Sequence, residues 1–173
     1  GLIELSNRCS KDCYYCGIRC SNRQVHRYRL THEEVMSTLL FAHEKGFGSV
    51  AIQSGERSSP TFVRQIDKIL RDAKKVTGGE IGITLSCGEQ TKETYRRWFE
   101  SGAERYLLRI ESSSEKLYGK LHPADEKHSY GRRIGALEAL KDTGYQTGTG
   151  VMIGLPFPPA PPGLAAECSG PFP

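Results

Sequence analysis

Apolar positions along the chain recur with two spacings that take turns, one of two residues and one of three to four. Residues 2–6 (Leu-Ile-Glu-Leu-Ser) predict a short strand. Thr31 followed by Glu34 is the signature of a helix capping box, and Val35, Leu39 and Leu40 continue at helical spacing until Gly46. Alternating Val50 and Ile52 then mark a strand that ends at Ser54-Gly55.

The same alternation repeats downstream. Pro60 at a first helical position leads into Phe62, Ile66, Ile69 and Leu70, and the Gly78-Gly79 break opens a strand through Ile81, Ile83 and Leu85. A third helix carries Tyr95, Trp98 and Phe99 and stops at Gly102, and residues 106–110 form the next strand. A short helix ends before Pro123, a longer one uses Ile134, Leu137 and Leu140 until Gly144, and residues 147–155 supply a glycine-rich fifth strand. Strands alternating with helices of this length predict an α/β fold of parallel βαβ units, either an open doubly wound sheet or part of a barrel. In both, chemistry belongs at the carboxyl ends of the strands. Cys9 to Cys16, Ser54 to Glu56, Ser86 and Glu111 follow the first four strands in turn.

The last stretch breaks the pattern. Seven of the nine prolines lie between Pro156 and Pro173, where neither helix nor inner strand can persist. This predicts a domain over residues 1–156 and a disordered Pro-rich tail over 157–173. The abrupt change after a strand points to a truncated or frame-shifted end, and five strands alone would leave an unpaired edge.

With 173 residues, 37% of them hydrophobic, the chain has the size of one core. Its net charge of +4 is spread over interleaved Arg and Glu, which excludes a nucleic-acid footprint. No apolar run approaches the roughly 20 residues of a membrane span and no signal pattern opens the chain, so a cytoplasmic location and no membrane partner are expected. Six cysteines stand at 9, 13, 16, 20, 87 and 168, four of them within twelve positions. Disulfide scaffolds spread their cysteines, so this clustering points to metal ligation in a reducing compartment.

Cys9-Ser-Lys-Asp-Cys13-Tyr-Tyr-Cys16 is a C-x3-C-x2-C run. Three thiolates this close can wrap three corners of a 4Fe-4S cubane and leave the fourth iron open. The competing readings are a zinc site completed by Cys20 or a histidine, and unligated thiols. Cys20, Cys87 and Cys168 are read as bystanders, and His26 and His122 as surface or loop residues.

These residues, with Tyr15 directly before Cys16, resemble the radical S-adenosylmethionine (SAM) superfamily. Further segments narrow the likeness: Asn7-Arg8-Cys9, Arg27 to Thr31, Gln53 to Glu56, Thr84 to Ser86, Arg105 to Arg109, and Gly148 to Pro156 are similar to FeFe-hydrogenase maturases of the HydE type. The resemblance covers about residues 2–156. It implies a partial TIM-type (βα) barrel of about five parallel strands, with a 4Fe-4S cluster on Cys9, Cys13 and Cys16. SAM would sit on the open iron, with Tyr15 beside its adenine. The resemblance further implies that Ser54, Gly55 and Glu56 meet the SAM amino group, that Glu111 accepts from the ribose hydroxyls, and that Arg133 holds the SAM carboxylate. Arg132 leaves that last assignment open by one residue. Arg109 is expected on the same side as Glu111, Ser86 in the small-molecule pocket or as a capping serine, and Met152 with Ile153 on an adenine shelf or in the core.

The implied activity is reductive cleavage of SAM to a 5'-deoxyadenosyl radical in maturation of the FeFe-hydrogenase active-site cluster. The implied partners are a small-molecule substrate, an electron donor such as ferredoxin or flavodoxin, and other hydrogenase maturation proteins. Methylornithine-synthase-like or biotin-synthase-like chemistry, or a non-catalytic iron-sulfur or zinc-binding fragment, are the alternatives. The sequence departs from the family at Arg57, where Asp is usual, and after Pro156, where the second half of the barrel would continue.

Overall fold

The computed structural model describes residues 1–154. The predicted tail, Leu155 of the fifth strand and Cys168 lie outside the described residues. Five parallel strands, β1 (Leu2–Ser6), β2 (Ser49–Ser54), β3 (Gly82–Ser86), β4 (Arg105–Leu107) and β5 (Gln146–Gly148), pair in chain order. An unreversed order is that of a partial (βα) barrel; a doubly wound sheet would turn back at a switch point. The crossovers carry α1 (His32–Glu44), α2 (Pro60–Val76), α3 (Lys92–Glu100) and, between β4 and β5, α4 (Glu115–Leu121), a 3-10 turn (Glu126–His128) and α5 (Tyr130–Thr143).

Helix starts are where local chemistry places them. Thr31 and Glu34 form the reciprocal capping box, with bonds of 3.2 and 2.7 Å. Ser59 caps α2 ahead of Pro60, and Gly144 ends α5 in the left-handed region that residues with a Cβ avoid.

Strand alternation divides the sheet into two faces. Ile3, Ile52, Leu85 and Tyr106 lie side by side across four strands and are buried with Val35, Leu39, Ile66, Leu70 and Trp98 from the helices. Glu4, Gln53 and Ser86 form the neighbouring row, which faces away from that core. The first face makes the fold and the second faces the cavity described below.

Three expectations need correction. The fourth strand stops at Leu107 instead of Ile110, because Thr149 enters the ladder: its hydroxyl donates to the Leu108 carbonyl (2.9 Å) and accepts from the Ile110 N–H (3.1 Å). Pairing resumes as an isolated bridge between Glu111 and Val151, so the fifth strand is also shorter than predicted. On α5 the buried stripe is Arg133, Ala136 and Leu140, with Ile134 and Leu137 half-buried, since Arg133 finds acidic partners inside. Among the described residues no helix is long and apolar enough to cross a membrane.

Candidate functional site

A cavity of about 370 Å³ opens at the carboxyl ends of the strands. Its wall brings together Cys9, Cys13, Tyr15, Cys16, Ser54, Gly55, Glu56, Ser86, Arg109, Glu111 and Arg133. Met152 is not among the lining residues: it is half-buried and its N–H donates to the Glu111 carbonyl, while Ile153 is almost fully exposed.

The cysteine loop is held open by hydrogen bonds to its own backbone. The Arg27 guanidinium donates to the carbonyls of Asn7 (2.6 Å), Ile18 (2.9 Å), Arg19 (2.6 Å) and Asn22 (3.0 Å), which pins the loop's start and end to one rigid plane. Asn7 closes the neck, accepting from Tyr28 N–H (2.8 Å) and donating to the His26 carbonyl (2.7 Å). Cys9, Cys13 and Cys16 thus reach one wall, while Cys20 is exposed and outside it. Burial pushes the Cys9 thiol up, and the Cys13 thiol up to about 11. Left to themselves they stay protonated, and metal binding would release protons. Among the described residues no three His, Cys, Asp or Glu side chains are grouped so as to hold a metal ion directly. Three thiols on one loop fit the separated corners of a cubane, whose sulfides complete each iron.

The Ser54-Gly55-Glu56 turn is stitched against this loop. A Cβ on Gly55 would lie 2.5 Å from the Arg8 carbonyl oxygen, so only glycine permits the approach. The Glu56 carbonyl accepts from both the N–H and the hydroxyl of Ser10, each at 2.9 Å. Its carboxylate sits 3.2 Å from Lys11 Nζ, 3.0 Å from the N–H of Glu89 and 3.9 Å from Arg133. Burial, opposed by the Lys11 charge, raises its pKa.

Lys11 and Glu89 are buried next to the cavity, which the sequence did not disclose. Lys11, between two of the cysteines, is 5% exposed; its ammonium meets Glu56, Glu89 at 3.1 Å and the Lys127 carbonyl. Arg133 donates to Glu89 at 2.7 Å and to the Arg109 carbonyl at 2.9 Å. Burial works to deprotonate the guanidinium, but Glu89, Tyr118 and Glu56 outweigh it and hold the proton more firmly. Two cations and two carboxylates therefore form one buried cluster. A lysine inside a polar loop gives no sequence sign of burial. Glu89 follows the third strand, and its place after Ser86 was the available signal.

Glu111 is the one non-glycine residue with positive φ (63°) among the described residues. A left-handed backbone costs about 1–2 kcal/mol at such a residue. Glu111 keeps it because its N–H and carbonyl pair with Gly150 and Met152, which aims a buried carboxylate into the cavity, 3.4 Å from Arg109 Nε.

His122 departs from its expected surface place. It is 2% exposed, stacked on Tyr118 with centroids 3.9 Å apart, because α4 ends against the cysteine loop, where the Tyr14 N–H donates to the Leu121 carbonyl. His128 is buried too; its Nε2 accepts from the Asp12 N–H (2.9 Å) and its Nδ1 faces Asp125 (2.6 Å). His26 is exposed as expected, and Cys87 is fully buried in the core.

Comparison with known proteins adds to this geometry. The family model for the radical SAM superfamily matches residues 3–159. The HydE subunit of the [FeFe] hydrogenase maturase of Thermotoga maritima is 41% identical over 90% of this chain and 42% of its own length. The 3-methylornithine synthase of Methanosarcina acetivorans is 28% identical over 89% of this chain and 43% of its own. A crystal structure of methylornithine synthase superposes with a TM-score of 0.78 at 28% identity, covering 89% of this chain and 44% of that one. The chain spans less than half the length of each of these relatives.

Proposed function

The chain belongs to the radical SAM superfamily, and on that premise we propose that it carries the cluster-binding and SAM-binding half of an enzyme acting in maturation of the FeFe-hydrogenase active site. One observation carries the proposal: three thiols of a single loop share a cavity wall with the Ser54-Gly55-Glu56 turn and with a strained, inward-facing Glu111. The 41% identity to the HydE subunit supports the maturation role.

When bound, a 4Fe-4S cluster would supply an electron that cleaves SAM to a 5'-deoxyadenosyl radical. Cys9, Cys13 and Cys16 would hold that cluster, and Arg27 keeps their loop in shape. The hydroxyl and carbonyl groups of Ser54 and Gly55, with Glu56, offer acceptors to an ammonium group. Lys11 offsets the Glu56 charge, so the carboxylate orients a cation without carrying an unpaired buried charge. Glu111 accepts from vicinal hydroxyls, and Arg133, fixed by Glu89, presents the remaining guanidinium N–H groups to a carboxylate. Tyr15 would lie beside the adenine, and Ser86 and Arg109 complete the pocket wall. A ferredoxin or flavodoxin would deliver the electron, and the other maturation proteins and a small-molecule substrate would be the further partners.

The likeness to methylornithine synthase and biotin synthase favours a second reading, in which the same residues serve a methylornithine-synthase-like or biotin-synthase-like activity. Reconstitution of the chain with iron and sulfide under anaerobic conditions tests the cofactor assignment. Broad brown absorbance and an EPR signal that changes on adding SAM support it; a colourless, zinc-loaded protein sinks it. Restoration of hydrogenase activity in a maturation-deficient host by the gene that encodes this chain separates the two enzymatic readings.

A further inference from the structure

Tyr15 is the aromatic residue of the cysteine loop, and the structure shows what holds its ring. Its hydroxyl lies 3.3 Å from Nε2 of His122, with the two rings edge to face at 5.4 Å. On the other side of the imidazole, Nδ1 lies 2.8 Å from the Tyr118 carbonyl oxygen, and the ring stacks on the Tyr118 phenol.

The hydrogen-bond roles follow from chemistry. A backbone carbonyl only accepts, so Nδ1 carries the proton and Nε2 of the neutral ring has a lone pair left over. The Tyr15 hydroxyl must then be the donor. Desolvation, followed by the charges of Arg133, His128 and Lys11, lowers the His122 pKa and keeps the ring neutral.

We propose that His122 is a positioning residue for the nucleoside site: through the Tyr15 O–H to His122 Nε2 bond it fixes the Tyr15 ring as one wall of the cavity. The proposal rests on the reading of that cavity as the SAM site. It adds a residue 107 positions away in sequence that does not itself line the cavity. A phenol pinned at its outer end cannot swing about its Cα–Cβ bond, so the stacking surface is in place before ligand arrives. Without the acceptor, binding a nucleoside would also have to order the ring.

Two variants separate the bond from packing. His122→Phe keeps a ring to stack on Tyr118 but removes the acceptor, whereas His122→Gln keeps an acceptor and removes the ring. Long-range nitrogen–proton NMR of the labelled chain is expected to show His122 with protonated Nδ1 and bare Nε2, the latter resonance moving in Tyr15→Phe; a protonated Nε2 overturns the proposal. S-adenosylhomocysteine, titrated calorimetrically into the reconstituted chain, is expected to bind about tenfold more weakly to His122→Phe and to Tyr15→Phe, no more weakly to the double variant, and near wild-type strength to His122→Gln. Equal affinity of His122→Phe and wild type overturns the positioning role. If wild type itself fails to bind the probe while the NMR pattern holds, the SAM reading of the cavity is what falls, and the nucleoside role falls with it.

Discussion

Gly88 and Glu56 are packed so closely that a Cβ added to the glycine would stand 2.3 Å from Cγ of the glutamate. Gly88 follows β3 with a φ of 74°, and its carbonyl accepts from Tyr106 Oη at 2.8 Å, so the contact is fixed from both sides. The turn after one strand thereby sets where the carboxylate after another can sit.

Gly88→Ala is therefore expected to destabilise the chain by at least about 2 kcal/mol, from backbone strain plus the collision. Gly78→Ala, with a φ of 60° and no atom within 4 Å of a Cβ, meets the strain alone and should cost about 1 kcal/mol. Denaturant unfolding of both variants checks this; equal losses would remove the Glu56 contact from the account.

The ligand set is tested one cysteine at a time. Cys9→Ala, Cys13→Ala and Cys16→Ala should each lose the reconstituted cluster, while Cys20→Ala, exposed and outside the cavity wall, should retain wild-type iron and sulfide. Iron and acid-labile sulfide analysis reads the result, and loss of iron in the Cys20 variant would show the ligands to be misassigned.

Lys11→Met keeps the apolar stem and removes the ammonium, which leaves Glu56 and Glu89 sharing Arg133 alone. Breaking a buried charge cluster from one side typically costs about 3–5 kcal/mol. Thermal unfolding should show a loss of that order, with part recovered in Lys11→Met/Glu89→Gln, where one cation and one anion leave together. A double variant as unstable as the sum of its singles would show the two side chains to be uncoupled.

Cys87 provides a pH test. Burial pushes its thiol up to about 12 from an ordinary value of 9.0. Between those values the unfolded chain gives up a proton that the folded chain keeps, so this thiol's effect is absent below about pH 9 and lowers stability as pH rises toward 12. From pH 8 to 11 wild type should lose about 2–3 kcal/mol more than Cys87→Ala. Parallel unfolding curves at the two pH values measure the difference; no difference would mean the thiol ionises as freely folded as unfolded. At neutral pH, Cys87 should also resist alkylation while Cys20 reacts.

The order of strands and helices, the core face of every strand and of the helices before α5, the capping box at Thr31 and the three-thiol loop were legible in the sequence, because each is written in residues a few positions apart. Placement of Ser54 to Glu56, Ser86 and Glu111 near the cysteines followed from the rule that parallel strands end on one side. Burial of Lys11, Glu89, His122 and His128 was not legible. Their partners lie far along the chain, 78 positions for Lys11 with Glu89, 107 for Tyr15 with His122 and 116 for Asp12 with His128. A charged or imidazole side chain can stay in water or go inside with a partner, and only the packed barrel brings that partner within reach.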